Sequence, residues 1–174
     1  RYAKALFELA VEGKILEKAY QDMLEVLAVC NESQDLNLML KSPVIMTEKK
    51  QRILEEIFGK SLQALSVKFI LLITKHRREA LLTEIARQFI IIYKAYKNIT
   101  TATFVTPVKV NETIRKEVVD VLANYTGGTI DLIEETNPDL IGGFVLRFDS
   151  KQYDASLRHE LNLLKKEFDS NLYV

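Results

Sequence analysis

The stretch NPDLIGGFVLRFDSKQYDASLRHELNLLKKEF, residues 137 to 168, divides into four pieces by residue type alone. Asn137-Pro138-Asp139 is turn chemistry, and Ile141 to Phe148 has the β-branched and aromatic content of a strand, opened by Gly142-Gly143. A short polar connection follows. From about Ala155 to Ser170 the residues Leu157, Leu161, Leu164 and Phe168 recur at heptad spacing, which predicts an amphipathic helix. The polar side chains are scattered along this strand-to-helix unit and do not converge as nucleophile, base and acid, so the stretch reads as part of a binding module.

Working outward, the chain before it continues the same mixed pattern back to residue 99. Ile99 to Val110, ITTATFVTPVKV, is β-branched and interrupted by Pro107, which predicts a strand with a bulge or an edge position. Asn111 is a natural N-cap for a helix running to Tyr125, with Ile114, Val118, Val121, Leu122 and Tyr125 on its buried side, and Gly127-Gly128 stops it. Thr129 to Ile133 is a further strand. Residues 99–174 therefore predict a small α+β domain.

Residues 1–98 carry helical signals throughout, and the fold class expected is mostly α: an N-terminal six-helix bundle followed by the α+β domain. Tyr2 to Val11 is a first helix, with Gly13 as its breaker. Leu16, Tyr20, Met23, Leu27 and Cys30 make one apolar stripe on a second. Leu36, Leu38, Met39 and Leu40 suggest a short third. Thr47 starts a fourth as N-cap, with Lys50 where a capping-box acid would be ideal, and Ile53, Leu54, Ile57 and Phe58 form its buried side. The fifth and sixth span about Ser61 to His76 and Glu79 to Lys97.

Two of these helices carry more apolar surface than one packed face needs. In VKFILLI, Val67 to Ile73, only Lys68 is polar, and in YAKALFELAV Leu6 and Ala10 face one way while Tyr2, Ala5 and Leu9 face another. Two readings stand: both helices are central in the bundle, or a second apolar side is left for a partner helix.

Reaction chemistry finds little support. Gly142-Gly143 opens a strand, whereas a phosphate-binding loop follows one and opens a helix; neither G-x-x-x-x-G-K nor G-x-G-x-x-G occurs, and a close backbone approach or bulge accounts for the pair. His76 and His159 have no companion at metal-ligand spacing, and Cys30, the one cysteine, sits on an apolar stripe as a buried thiol. Glu134-Glu135 stands beside a turn, where solvated carboxylates are routine. No cofactor or metal is expected. With 24 basic against 24 acidic residues the chain lacks the excess that drives polyanion binding, although up to Asn98 there are 16 basic and 12 acidic residues and beyond it 8 and 12. No apolar run reaches the roughly 18 to 20 residues of a membrane span, so a soluble chain without direct membrane insertion is expected.

Two separated segments resemble the delta subunit family of bacterial F-type ATP synthase, whose mitochondrial counterpart is the oligomycin-sensitivity-conferring protein. Arg1 to Leu9, RYAKALFEL, is similar to the family's opening helix. Asp139 to Arg147, DLIGGFVLR, with Asp154-Ala155-Ser156-Leu157-Arg158, is similar to its signature strand and Asp-Gly-Ser-x-Arg continuation. Between them, Phe69 to Arg78 and Gln88-Phe89 stand where the family has a fifth helix, an arginine turn and a sixth helix. The chain departs from the pattern at Ala155 and Arg77, both common glycine positions, and at Lys68, where a small amide is frequent.

The resemblance implies a non-catalytic stator subunit that links the catalytic head to the peripheral stalk and resists rotor torque. It implies that residues 1–98 clamp the N-terminal helix of an alpha subunit between helices one and five. Tyr2, Ala5, Leu6 and Leu9 would form one wall, Lys68, Leu72 and Lys75 the other, with Gln21 nearby. It implies that residues 99–174 bind the C-terminal ends of the b subunits, and that Gly142, Gly143, Asp154, Ser156 and Arg158 are structural signature positions. The location implied is peripheral, on the cytoplasmic face of the cell inner membrane. The rival readings are a helical nucleic-acid-binding regulator using Lys75, Arg77 and Arg78, and a small α+β enzyme, which requires a pocket with convergent ionisable groups.

Overall fold

The structure, a computed structural model, describes residues 1–148 and 151–157. The chain divides into two compact units, Arg1–Tyr96 and a second beginning at Lys97. The expected final helix, with Leu161, Leu164 and Phe168, and the positions Arg158 and His159 lie outside the described residues.

The first unit is helical: α1 (Tyr2–Glu12), α2 (Leu16–Glu32), α3 (Gln34–Lys41), α4 (Thr47–Phe58), α5 (Ala64–Lys75), a 3-10 turn at Glu79–Leu81, and α6 (Leu82–Tyr96). Helix α6 packs along both α1 and α2, and α4 packs along α5. Between them Leu6, Met23, Val26, Leu54, Phe58, Ile70, Ile73, Leu82 and Phe89 are almost wholly withdrawn from solvent. Burying each such side chain contributes about 1.5–3 kcal/mol. Aromatic contacts fix the helices laterally: the Phe7 ring meets Tyr96 edge-on at 5.3 Å, and Tyr20 stacks on Tyr93 at 3.9 Å. The Tyr93 hydroxyl donates to Glu17, and burial together with that acceptor pushes its pKa up to about 12.

Several local expectations change. Gly13 caps the end of α1 as expected, but the left-handed residue is Lys14 (φ 54°), beyond which Ile15 N donates back to Ala10 O at 3.0 Å. Thr47 is the first residue of α4 and Met46 its cap, with no side-chain hydrogen bond. Lys50 is not a misplaced capping residue. It is buried, donating to Leu40 O at 3.0 Å and to Glu79 Oε1 at 2.5 Å, so it joins the end of α3 to the turn after α5. On α2 the packed stripe runs through Ala19, Asp22, Met23, Val26 and Cys30, leaving Tyr20 and Leu27 at its margin. Burial raises the Cys30 thiol pKa, against a lowering by Thr83, as an inert core cysteine requires. Ile57 is partly exposed instead of buried.

Among the described residues the second unit holds a four-stranded mixed sheet in the order β2-β1-β3-β4, with β1 (Ile99–Thr106), β2 (Thr129–Thr136), β3 (Val145–Phe148) and β4 (Lys151–Asp154). Helix α7 (Glu112–Thr126) connects β1 to its parallel neighbour β2, in register from Ile99 opposite Thr129 to Thr106 opposite Thr136. Asn111 Oδ1 caps α7 by accepting from Ile114 N at 2.9 Å, and Gly127 ends it in the left-handed conformation (φ 70°). β1 is interior rather than an edge strand: β3 pairs antiparallel on its other side, and Pro107 stands just past the strand's end, where its missing N–H breaks no ladder bond. β4, which pairs with β3, was absent from the expected elements.

The paired glycines owe their place to the return of the chain from β4. Ala155 N donates to Phe144 O at 2.9 Å and Leu157 N to Gly142 O at 3.1 Å, drawing residues 155–157 across the glycines. A Cβ on Gly143, which has φ +77°, would stand 2.0 Å from Ala155 O, whereas one on Gly142 would meet only the end of the Leu157 side chain at 2.7 Å. The close-approach reading is therefore the one realised, and it belongs to Gly143. Gly143→Ala is expected to destabilise the second unit by more than about 3 kcal/mol and Gly142→Ala by only about 1 kcal/mol. Urea unfolding followed by circular dichroism checks this; equal losses would show that the backbone contact at Gly143 is unimportant.

Candidate functional site

Helix α5, ALSVKFILLITK, is apolar on most sides, so burial alone specifies poorly which side faces the core. Phe69, Ile70 and Ile73 are buried together with two polar residues, Ser66 and Thr74. The opposite face presents Lys68, Leu72 and Lys75, with Leu72 50% exposed. These three recur at i, i+4 and i+7 and so share one side of the helix.

Polar ties select this rotation. Asp22, on α2 and only 6% exposed, receives two hydrogen bonds on Oδ2, from Gln63 N at 3.0 Å and from Ser66 Oγ at 2.5 Å. Gln63 is the N-cap residue of α5. The Asp22 carboxylate thus does from another helix what a capping-box acid does locally, and it places negative charge at the positive end of the helix. Farther along, Gln51 on α4 donates to Leu71 O at 3.1 Å. At the C-terminal end His76 N and its Nδ1 both donate to Leu72 O, and Arg78 N donates to Ile73 O at 3.0 Å across Arg77, which is left-handed at φ 56°. The Lys50–Glu79 ion pair then anchors the turn, leaving Glu79 Oε2 buried without a hydrogen-bond partner among the described residues.

On α1, Ala3, Leu6 and Ala10 are buried, while Tyr2, Ala5 and Leu9 are exposed, Leu9 by 50%. Leu6 is fully buried, so it supports the wall from behind and cannot touch a partner; it leaves the set of contact residues. Gln21 is exposed on α2, one residue from Asp22. Helices α1 and α5 touch each other, and α2 contacts both. The structure thus brings Tyr2, Ala5, Leu9, Gln21, Lys68, Leu72 and Lys75 to the surface of one helical cluster.

The second unit has a feature the sequence reading missed. Of the α7 residues expected to be buried, only Leu122 is; Ile114, Val121 and Tyr125 are 43%, 68% and 65% exposed. With Val118 they line one side of a cavity of about 820 Å³ whose other side is the sheet, through Phe104, Phe144, Leu146, Phe148 and Tyr153. Among the described residues only Glu117 and Lys151 bring formal charge to its walls. Such an apolar trough suits an apolar side of a helix. Among the described residues no group of three or more His, Cys, Asp or Glu is placed to hold a metal ion, and no helix is long and apolar enough to cross a membrane. Asp154 Oδ1 accepts from Ser156 N at 3.0 Å, Ser156 is buried, and both stand where the chain crosses Gly142 and Gly143.

A family model described as ATP synthase delta (OSCP) subunit matches residues 1–168. Relatives include the ATP synthase subunit delta of Cytophaga hutchinsonii, 32% identical over 97% of this chain and 92% of its own length. That of Christiangramia forsetii is 34% identical over 100% of this chain and 94% of its own length. Among solved structures, a chain of the Toxoplasma gondii mitochondrial ATP synthase hexamer has the same fold, with a TM-score of 0.75 at 23% identity over 97% of this chain and 95% of that one.

Asp22→Ala is expected to cost about 2 kcal/mol, because it leaves the Gln63 N–H and the Ser66 hydroxyl without their acceptor. Chemical denaturation checks it, and a cost below about 0.5 kcal/mol would show that α5 is held by packing alone.

Proposed function

Since this chain belongs to the ATP synthase delta (OSCP) family, a family of non-catalytic subunits of that complex, we propose that its two units bind two different partner helices. In this reading residues 1–98 act as one six-helix bundle whose face of Tyr2, Ala5, Leu9, Lys68, Leu72 and Lys75, with Gln21 beside it, receives the N-terminal helix of an alpha subunit. The trough between α7 and the sheet receives the C-terminal end of a b subunit. The chain then ties the catalytic head to the peripheral stalk so that the head does not turn with the rotor. It is held at the cytoplasmic face of the inner membrane by those partners.

The observation that carries this reading is the pair of half-exposed leucines, Leu9 and Leu72, on helices whose opposite faces are already fully packed. Their apolar area is of no use to the first unit's own core, and an amphipathic helix laid across them would remove it from water at about 25 cal/mol per Å². A stator needs affinity at both ends and no reaction centre.

Isothermal titration of the full chain with a peptide of the alpha N-terminus is expected to show saturable binding, weakened at least tenfold by Leu72→Asp and unaffected when the titrant is instead a b C-terminal peptide. Unchanged affinity of Leu72→Asp for the alpha peptide, with the variant folded, would move the interface elsewhere.

A further inference from the structure

The exposed side of α5 carries cations and no acid. The helix contains no Asp or Glu between Ala64 and Lys75, and Lys68 and Lys75 stand in solvent on either side of Leu72. The turn that follows the helix adds Arg77 and Arg78, both exposed. Three other cations of the first unit have carboxylate partners: Lys4 with Glu8, Lys50 with Glu79 and Arg87 with Glu84. Among the described residues no ion pair engages Lys68, Lys75, Arg77 or Arg78. Arg77 moreover holds a left-handed backbone position, at φ 56°, that glycine would take without steric cost.

Resting on the docking face proposed above, we infer that this side of the face selects an acidic helix. Its occupant carries two carboxylates seven residues apart, over Lys68 and Lys75, an apolar residue between them over Leu72, and a further carboxylate toward the Arg77-Arg78 turn. The spacing follows from helix geometry: seven residues rise about 10.5 Å on either helix, so an occupant lying along α5 keeps both pairs in step. A nucleic acid fits less well. Phosphates would engage the cations but leave Leu72 uncovered, and the chain has no net basic charge to draw a polyanion. An apolar helix without acids would cover Leu72 and leave the cations unmatched. These exposed pairs supply selectivity and association rate more than raw affinity, so their effect is sensitive to salt.

The test is calorimetry of the folded full chain with a peptide of the alpha subunit N-terminus at 50 and 300 mM NaCl. Wild-type affinity falls severalfold across that range. The double variant Lys68→Glu, Lys75→Glu binds about tenfold or more weakly and loses the salt dependence, and a peptide whose acids are replaced by lysine binds the variant better than it binds wild type. If the charge-reversed chain binds the original peptide as wild type does while Leu72→Asp abolishes binding, the docking face stands and the acidic selection is overturned. Should Leu72→Asp also bind normally, both readings fall. Displacement of the peptide by a double-stranded oligonucleotide that depends on Lys68 and Lys75 would identify the strip as a phosphate surface and overturn the inference.

Discussion

The Asp22 carboxylate at the start of α5 is the interaction on which the first unit's surface depends. A twelve-residue helix with apolar side chains around most of its circumference can be rotated about its axis at small hydrophobic cost. Two hydrogen bonds from Gln63 and Ser66 to a nearly buried carboxylate remove that freedom, because any other rotation strands a charge or a hydroxyl without its partner. Gln51 and the Lys50–Glu79 pair fix the same helix from its middle and its far end. With its register settled, Leu72 is held in solvent between two lysines, which is where the proposed docking helix needs it.

The second unit reaches a comparable result by different means. The chain returning from β4 passes so close to Gly143 that no side chain fits, and hydrogen bonds to Phe144 and Gly142 draw residues 155–157 across the segment before β3. Phe144, Phe148 and Tyr153 line a trough with the outward residues of α7. Among the described residues α7 and the four strands leave apolar side chains exposed, and a partner would lie there in the proposed function.

Helix positions were legible because their signals are local: Asn111 caps α7 with its own side chain, and the surplus apolar surface of α1 and α5 shows in the residues themselves. The two-faced reading of α1 was sound, but assigning Leu6 to the contact wall was not, since Leu6 lies with Ala3 and Ala10 on the packed side. Other features depend on residues far apart in the chain. Asp22 is 41 residues from Gln63 and Lys50 is 29 from Glu79, so no window of sequence reveals that these polar groups are buried together. The outward face of α7 was misread for a related reason. Ile114, Val118, Val121 and Tyr125 have the periodicity of a buried stripe, and periodicity cannot distinguish a stripe covered by its own sheet from one left for another chain. β4 is only four residues long, and its KQYD carries no alternation to announce it.

The central claim is that the α1 and α5 face, and not another part of the first unit, meets the catalytic head. Placing a photo-reactive amino acid at position 72 in the assembled ATP synthase, irradiating, and mapping the adduct by mass spectrometry tests this most directly. The account predicts a cross-link to the N-terminal segment of an alpha subunit. Cross-linking at that position only to a b subunit, or to no other subunit while an equally exposed position such as Ile91 links to alpha, would contradict it.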